Sequence, residues 1–344
     1  MRVWFNKAFS SLHSVLESIR GGDVTGEFDL VCSHDHPRFT GFQSAHHHAL
    51  EPANRHGDEY LSFCLDFCKQ EGIEVFFPGR EAVLLAENAT RFESLGVRLI
   101  STASPDNLRT IHDKLEFYSN SAECCVPPAE FCAFDSLPAF DAAYADLRSR
   151  HPVLCVKPAK GVFGIGFRII DEHRLGLDLL LTGHMHHIPL HDFRRLLDEA
   201  DFIPSLLLME YLDGVEYSAD CVGDGNQLVA LVQRRKPLDG LYGQDIVDLP
   251  AIRAACAELA SHYGLLGLFN VQFREGRGGL RLLEVNPRFS GGIGMSCVAG
   301  VNLPYLAVRG AVHGFAGQAL AASAAVGARV VEIPRAHCLE TKAA

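Results

Sequence analysis

The chain has 344 residues, 48% hydrophobic and 21% charged, with a net charge of −11. This is a globular composition with room for two or three domains or subdomains. The acidic balance argues against nonspecific nucleic-acid binding and against an anionic membrane surface. The longest apolar runs are too short to cross a bilayer.

The first hundred residues alternate strand and helix. Arg2–Phe5 reads as a strand, Ser11–Arg20 as a helix and Phe28–Cys32 as a second strand. Glu59–Gln70 reads as a helix, and Ile73–Phe77 is an apolar run closed by Pro78-Gly79. Glu81–Leu95 reads as a helix stopped by Gly96, before the strand Val97–Ser101. This rhythm predicts a small parallel sheet covered by helices. No G-x-G-x-x-G follows the first strand, so no dinucleotide site is expected. The N-terminus lacks the apolar core of a signal peptide. The eleven cysteines are scattered through apolar segments, Cys155 and Cys221 among them. They read as reduced thiols of a cytoplasmic protein.

Ser104-Pro105-Asp106 starts a helix expected to run to about Cys124 and to carry Asp113-Lys114. A strand near Phe131, a helix at Ala139–Ser149 and the strand Val153–Lys157 follow. After a glycine loop comes the strand Phe167–Ile170, and then an irregular, His-rich stretch at 171–190. A helix at Asp192–Ala200 leads to the strand Ser205–Tyr211 and a meander over Glu216–Lys236. Pro250–Tyr263 and Leu303–Val312 are the remaining helices, and no internal repeat is evident. The runs His46-His47-His48 and His184-x-His186-His187 fall in expected loops. Solvated histidines are the commoner case there, a transition-metal site the rarer one.

The stretch richest in chemistry is Leu280–Ser296. Side chains two apart on a strand share a face, so Glu284, Asn286 and Arg288 point one way and Leu283 and Val285 the other. Carboxylate and amide oxygens suit a hard cation, and a guanidinium beside them suits a phosphate or carboxylate. The preceding strand alternates too, with Val271 and Phe273 on one face and Asn270, Gln272 and Arg274 on the other. A loop of three or five residues between these strands would put Gln272 on the face of Glu284, whereas two would turn it away. The longer loop is expected.

Lys157 leads into Pro158-Ala159-Lys160-Gly161-Val162-Phe163-Gly164-Ile165-Gly166. Glycines let backbone N–H groups approach a phosphate, although such a hairpin also occurs for purely structural reasons. In Met209–Asp220, an apolar strand breaks at a turn flanked by acids. Its exposed backbone could pair with a purine edge, or the segment is a solvated hairpin. Gln233-Arg234-Arg235-Lys236 reads as an anion site or a solvated strand end. Ser290-Gly291-Gly292 reads as a backbone cradle for a carboxylate or a flexible turn.

Together these motifs resemble the ATP-grasp superfamily, and more closely its branch with carbamoyl phosphate synthetase and biotin carboxylase. The resemblance spans about Ile111 to Val312. It rests on Asp113-Lys114, Val156-Lys157-Pro158 with the glycine loop, Met209-Glu210-Tyr211-Leu212-x-Gly214-x-Glu216, Asn270-Val271-Gln272-Phe273 and Glu284-Val285-Asn286-Pro287-Arg288. It implies an α/β (α+β) protein: a Rossmann-like parallel domain at 1–103, ATP-grasp subdomains at 104–200 and 201–330, and a tail at 331–344.

The resemblance further implies roles. Lys114, Lys157, Lys160, Gly161, Gly164 and Gly166 would contact phosphates. Glu210, Tyr211 and Leu212 would line the adenine hinge, and Glu216 would hold the ribose. Gln272, Glu284 and Asn286 would bind one or two Mg²⁺, or Mn²⁺ in their place. Arg288 would stabilise the transferring phosphoryl group, with Glu284 and Asn286 as its catalytic companions. Arg234, Arg235, Ser290, Gly291 and Gly292 are the substrate candidates. Many relatives carry a second carboxylate where this chain has Gln272, and small residues where it has Val162-Phe163. The implied chemistry is ADP-forming ligation of a small carboxylate to an amine through an acyl phosphate. The alternatives are phosphorylation of bicarbonate or another small anion, and a nucleotide-binding module without catalysis. No nucleic-acid or membrane partner is implied. The oligomeric state is left open, dimers being common among the proteins it resembles.

Overall fold

The computed structural model describes residues 1–161, 164–174, 176–182, 185–238, 243–316 and 324–333. The chain forms two compact units, each drawn from separated stretches. One comprises Met1–Arg109, Val215–Gln272 and Val285–Ala344, and the other Thr110–Gly214 and Phe273–Glu284.

In the first unit, the N-terminal sheet has the strand order His47–Leu50, Asp29–His34, Arg2–Phe5, Val75–Phe77, Arg98–Leu99. Every pairing in it is parallel, as the strand–helix alternation predicts. Parallel strands covered on both faces need apolar residues at consecutive positions, and Val3, Trp4 and Phe5 are all buried. Trp4 stacks on Phe76 at 4.0 Å and donates its indole N–H to Ser33 Oγ at 2.8 Å, so burial leaves no polar group unmet. The helix Leu12–Gly22 turns Leu12, Val15, Leu16 and Ile19 inward at helical spacing.

Several local expectations change. The helix expected at Glu81–Leu95 is two helices, Ala82–Glu87 and Ala89–Glu93, parted at Asn88. The Asn88 amide donates to Leu84 O at 2.9 Å, a side-chain bond that competes with continued helix. His47–Leu50 is an edge strand rather than a loop. The 171–190 stretch holds a short helix, Gly176–Leu181, and a strand, His187–Pro189. His184 lies outside the described residues.

The largest sheet has the order Gly279–Asn286, Leu266–Gly276, Glu216–Asp224, Leu228–Lys236, Gln244–Val247, Arg329–Val330. The unit boundaries fall inside its first two strands. Between those strands only Arg277-Gly278 stand outside the ladder, not the three or five residues expected. Gly279 opens the return strand at φ +101°, a backbone conformation that favours glycine.

In the second unit the sheet order is Phe131–Phe134, Leu206–Glu210, Leu154–Pro158, Arg168–Asp171, His187–Pro189. The helices Leu137–Arg148 and Leu190–Asp198 belong to its core, where Phe134, Phe140 and Phe193 pack together. The helix expected across 104–124 is two, Pro105–His112 and Lys114–Asn120. Asp113 breaks it with extended backbone and caps the second helix, accepting from Leu115 N at 3.1 Å.

Gly223 sits where the register of Glu216–Asp224 against Leu228–Lys236 shifts, and a Cβ there would stand 2.2 Å from Leu265 O. Neither backbone can yield without breaking the sheet. Gly223→Ala is expected to cost about 1–3 kcal/mol, read as a lower urea midpoint at unchanged slope.

Candidate nucleotide site

In the second unit the Asp113 cap places Lys114 at the first turn of its helix, against the glycine loop. The Lys114 N–H donates to Ala159 O at 2.9 Å, and its Nζ to Gly161 O at 2.6 Å. Lys160 is exposed and pairs with Asp113 at 3.3 Å. Gly164 and Gly166 have φ of +66° and +82°, left-handed values that favour glycine. Val162 and Phe163 lie outside the described residues.

Lys157 is half-buried near the end of its strand, and its Nζ donates to Tyr118 Oη at 2.5 Å. The Tyr118 hydroxyl in turn donates to Leu283 O at 2.7 Å. Burial pushes the Lys157 ammonium down to about 8, against the opposing pull of Cys155 and Glu284. Lys114 is lowered as well, by burial first and by the Lys157 charge second. The two cations are held at a desolvation cost that the nearby carboxylates of Glu284 and Asp113 only partly offset, a setting in which an added anion is favourable.

The expected adenine hinge follows the strand Leu206–Glu210. Glu210 and Leu212 are buried, and Tyr211 N donates to Val153 O at 3.1 Å. Glu210 Oε2 makes no hydrogen bond and lies 3.7 Å from Arg281 Nε. Arg274 holds the turn by donating to Gly214 O at 3.1 Å, with its guanidinium carbon 5.9 Å from the Tyr211 ring centroid.

In the first unit, Asn286 ends the strand that carries Glu284, and Arg288 stands in the bend beyond it rather than on the strand as expected. Val285 is 4% exposed while Glu284 and Asn286 are half-buried, as the alternation expects, but Leu282 is wholly buried and Leu283 only half-buried, so the alternation holds at the end of the strand alone. Arg288 donates to Asn286 Oδ1 at 3.1 Å, and its guanidinium lies 4.3 Å above the Phe9 ring. Gln272 Nε2 donates to Asn270 Oδ1 at 3.4 Å. Glu216, the expected ribose ligand, is ion-paired to Lys236 on the neighbouring strand.

The cationic run does not behave as one unit. Arg235 is exposed and pairs with Asp245 at 3.1 Å. Arg234 is 1% exposed, so the solvated reading fails for it, and it is no open anion receptor either. Its nitrogens are bonded to Asp220 (2.9 Å), Ser296 (2.8 Å), Ser290 (2.9 Å), Ser218 (3.2 Å) and Gln244. Ser290 is therefore fixed by its hydroxyl, and a Cβ on Gly292 would stand 2.6 Å from Arg234 Nη1, which makes glycine the residue that fits. Gly291 is exposed beside it. Sequence reasoning missed this buried network and the Phe9–Arg288 stack. A run of polar residues on one face of an otherwise apolar strand pair was the available signal for the first, and nothing local signalled the second. Neither histidine run gathers three metal donors among the described residues. His46 and His47 lie 3.8 and 3.1 Å from Asp29 instead.

Comparison with known proteins defines the class of the fold. The biotin carboxylase domain of Hydrogenobacter thermophilus 2-oxoglutarate carboxylase, solved with MgADP, ADP and bicarbonate, superposes with a TM-score of 0.60 at 17% identity, over 91% of this chain and 69% of that one. N5-carboxyaminoimidazole synthetase from Staphylococcus aureus, solved with ADP, gives 0.63 at 14% identity over 90% and 77%. The L-amino acid ligase of Bacillus licheniformis gives 0.60 at 13% identity over 91% and 74%. The chain has the ATP-grasp fold, with the N-terminal parallel sheet expected of it. Residues 202–336 match the family model described as ATP-grasp in the biosynthetic pathway with Ter operon. The large chain of the arginine-specific carbamoyl phosphate synthase of Geobacillus stearothermophilus is 24% identical over 299 residues, 82% of this chain. The chain spans 25% of that relative's length. Among the described residues no helix is long and apolar enough to cross a membrane.

Removing one partner of a buried ion pair leaves the other charge unmet. Arg234→Met is expected to cost about 3–5 kcal/mol in urea unfolding, and Arg235→Met, at an exposed pair, less than about 1 kcal/mol.

Proposed function

We propose that the protein is an ATP-dependent, ADP-forming ligase that joins a small carboxylate to an amine through an acyl phosphate. The observation that carries this reading is the strand Gly279–Asn286, with Glu284 and Asn286 half-buried and Val285 in the core, and Arg288 in the bend just beyond it, bonded to Asn286. The half-buried Lys114 and Lys157 support it, since cations kept under desolvation gain most from a phosphate ligand.

The donor set Gln272, Glu284 and Asn286 offers only oxygens to a divalent cation, which fits Mg²⁺ or Mn²⁺ and not a soft metal. A bound cation would supply charge neutralisation at the phosphates. Lys114 and Lys157 bind and orient the β- and γ-phosphates, and the glycines after Lys160 let backbone approach them. A substrate carboxylate oxygen attacks the γ-phosphorus and ADP leaves. Arg288 stabilises the negative charge on the transferring oxygens, and its stacking on Phe9 and its bond to Asn286 hold it in place. The amine then displaces phosphate, losing its proton as the amide forms. No protein nucleophile takes part. Leu212 and the backbone after Glu210 face the adenine, and Glu216 and Lys236 lie at the ribose.

The L-amino acid ligase among the structural relatives favours an amino acid as one substrate. The second reading takes bicarbonate as the phosphoryl acceptor. The bicarbonate-bound carboxylase relative favours it.

The decisive assay is Mg²⁺-dependent release of ADP and phosphate against amino acids, small carboxylates and bicarbonate, offered singly and in pairs. Release that needs a carboxylate together with an amine, and that falls at least about a hundredfold in Glu284→Gln and in Arg288→Ala, is the expected result. Release with bicarbonate alone would select the second reading, and failure to bind Mg·ATP would overturn both.

Lys157 also predicts a proton linkage. Free protein loses the Lys157 proton as pH rises through about 8, and a bound phosphate restores the charged form. ADP binding at pH 8.5 is therefore expected to take up protons. Calorimetry in two buffers of different ionisation enthalpy measures this, and Lys157→Met should remove most of the uptake.

A further inference from the structure

Gln272 occupies a position where a carboxylate would bind a cation more strongly, and the groups behind it explain why an amide stands there. Asp220 is wholly buried, and a carboxylate accepts hydrogen bonds but cannot donate them. Its Oδ2 accepts from Arg234 Nη2 at 2.9 Å and from the Ser296 hydroxyl at 2.6 Å. Its Oδ1 accepts from Asn270 Nδ2 at 3.0 Å. The same Asn270 nitrogen lies 3.1 Å from Ala219 O, a second group that can only accept. Two acceptors therefore fix which way the buried Asn270 amide is turned. Its oxygen must face the other way, and there it meets Gln272 Nε2 at 3.4 Å. A donor is required at that place, so the Gln272 amide is oriented in turn, nitrogen to Asn270 and Oε1 left for a cation.

We propose that Arg234, Asp220 and Asn270 are positioning residues for Gln272: the buried ion pair fixes the Asn270 amide, which sets the Gln272 carbonyl oxygen as the metal-directed atom and makes the site specific for glutamine over glutamate. The relay starts from Arg234, whose second branch holds Ser290 in the turn after Arg288. One buried guanidinium thus ties the Gln272 ligand to the Ser290-Gly291-Gly292 turn. All of these residues belong to the first unit. The inference rests on the ligase reading only for Gln272 being a metal ligand.

A carboxylate at 272 would set an oxygen against Asn270 Oδ1. Asn270 cannot turn to meet it without facing Asp220 and Ala219 O with its own oxygen. Charge alone predicts the opposite outcome, because a second carboxylate draws a divalent cation more tightly. The two accounts therefore differ in sign.

The test is Mn²⁺ binding in the presence of ADP, followed by the electron paramagnetic resonance signal of free Mn²⁺. Thermal melting checks that each variant folds. Gln272→Glu is expected to weaken Mn²⁺ binding about tenfold, within the range of supporting groups around metal ligands. Asn270→Ala removes the opposing oxygen, so Gln272→Glu introduced on that background should weaken binding no further, or should tighten it. Gln272→Glu binding Mn²⁺ as tightly as the unmodified protein would overturn the positioning role. So would a tenfold loss that persists on the Asn270→Ala background. Failure of the unmodified protein to bind Mn²⁺ with ADP would instead overturn the nucleotide-site reading of the preceding subsection.

Discussion

The Arg234–Asp220 ion pair is the constraint around which the first unit's polar interior is arranged. Two charges taken out of water lose hydration that their mutual attraction alone does not replace, so every remaining donor and acceptor must be met by protein. Ser218, Ser290, Ser296, Gln244 and Asn270 meet them, and all but Gln244 are buried. Ser218 stands directly opposite Arg234 in the antiparallel register, so the sheet itself delivers one partner. The others come from a loop, from a helix and from two further strands. A network of this kind tolerates little rearrangement, because each displaced group leaves a buried polar atom unmet.

The second unit solves a different problem. Lys157 keeps its ammonium beside the Tyr118 hydroxyl, which is itself committed to Leu283 O. Neither of these two partners carries a full charge, and the counter-charge near the lysine is the Glu284 carboxylate, which does not offset its burial. Arg234, in contrast, is bonded directly to the buried Asp220 carboxylate.

What could be read from the sequence follows the same division. Glu284 and Asn286 were legible because strand periodicity assigns faces without knowledge of neighbours, and Val285 is buried as that periodicity requires; Arg288 lies past the strand end, where periodicity no longer applies. Lys157 and the glycine loop were legible as a local pattern. Arg234 was not, since a run of three cations reads as exposed until the acid that buries one of them is known. Asp220 lies 14 residues away in sequence and meets Arg234 only through the hairpin register. The helix breaks at Asn88 and Asp113 were missed for a related reason. In both segments apolar periodicity persists through the break, and the deciding event is a side chain bonding to backbone. The strand at His47–Leu50 was missed because an exposed edge carries little apolar patterning.

Periodicity also explains why a site and a core can share one strand. With Val285 packed inward, a change at Glu284 or Asn286 alters chemistry with little loss of packing, whereas a one-residue slip would exchange the two sets entirely. The register therefore has to be pinned by something other than the site residues themselves. Gly279 does this at one end, since its left-handed backbone fixes the turn. At the other end Ser290, tied to Arg234, fixes the chain just beyond Arg288. A strand held at both ends can carry polar, weakly packed residues between them without losing its register.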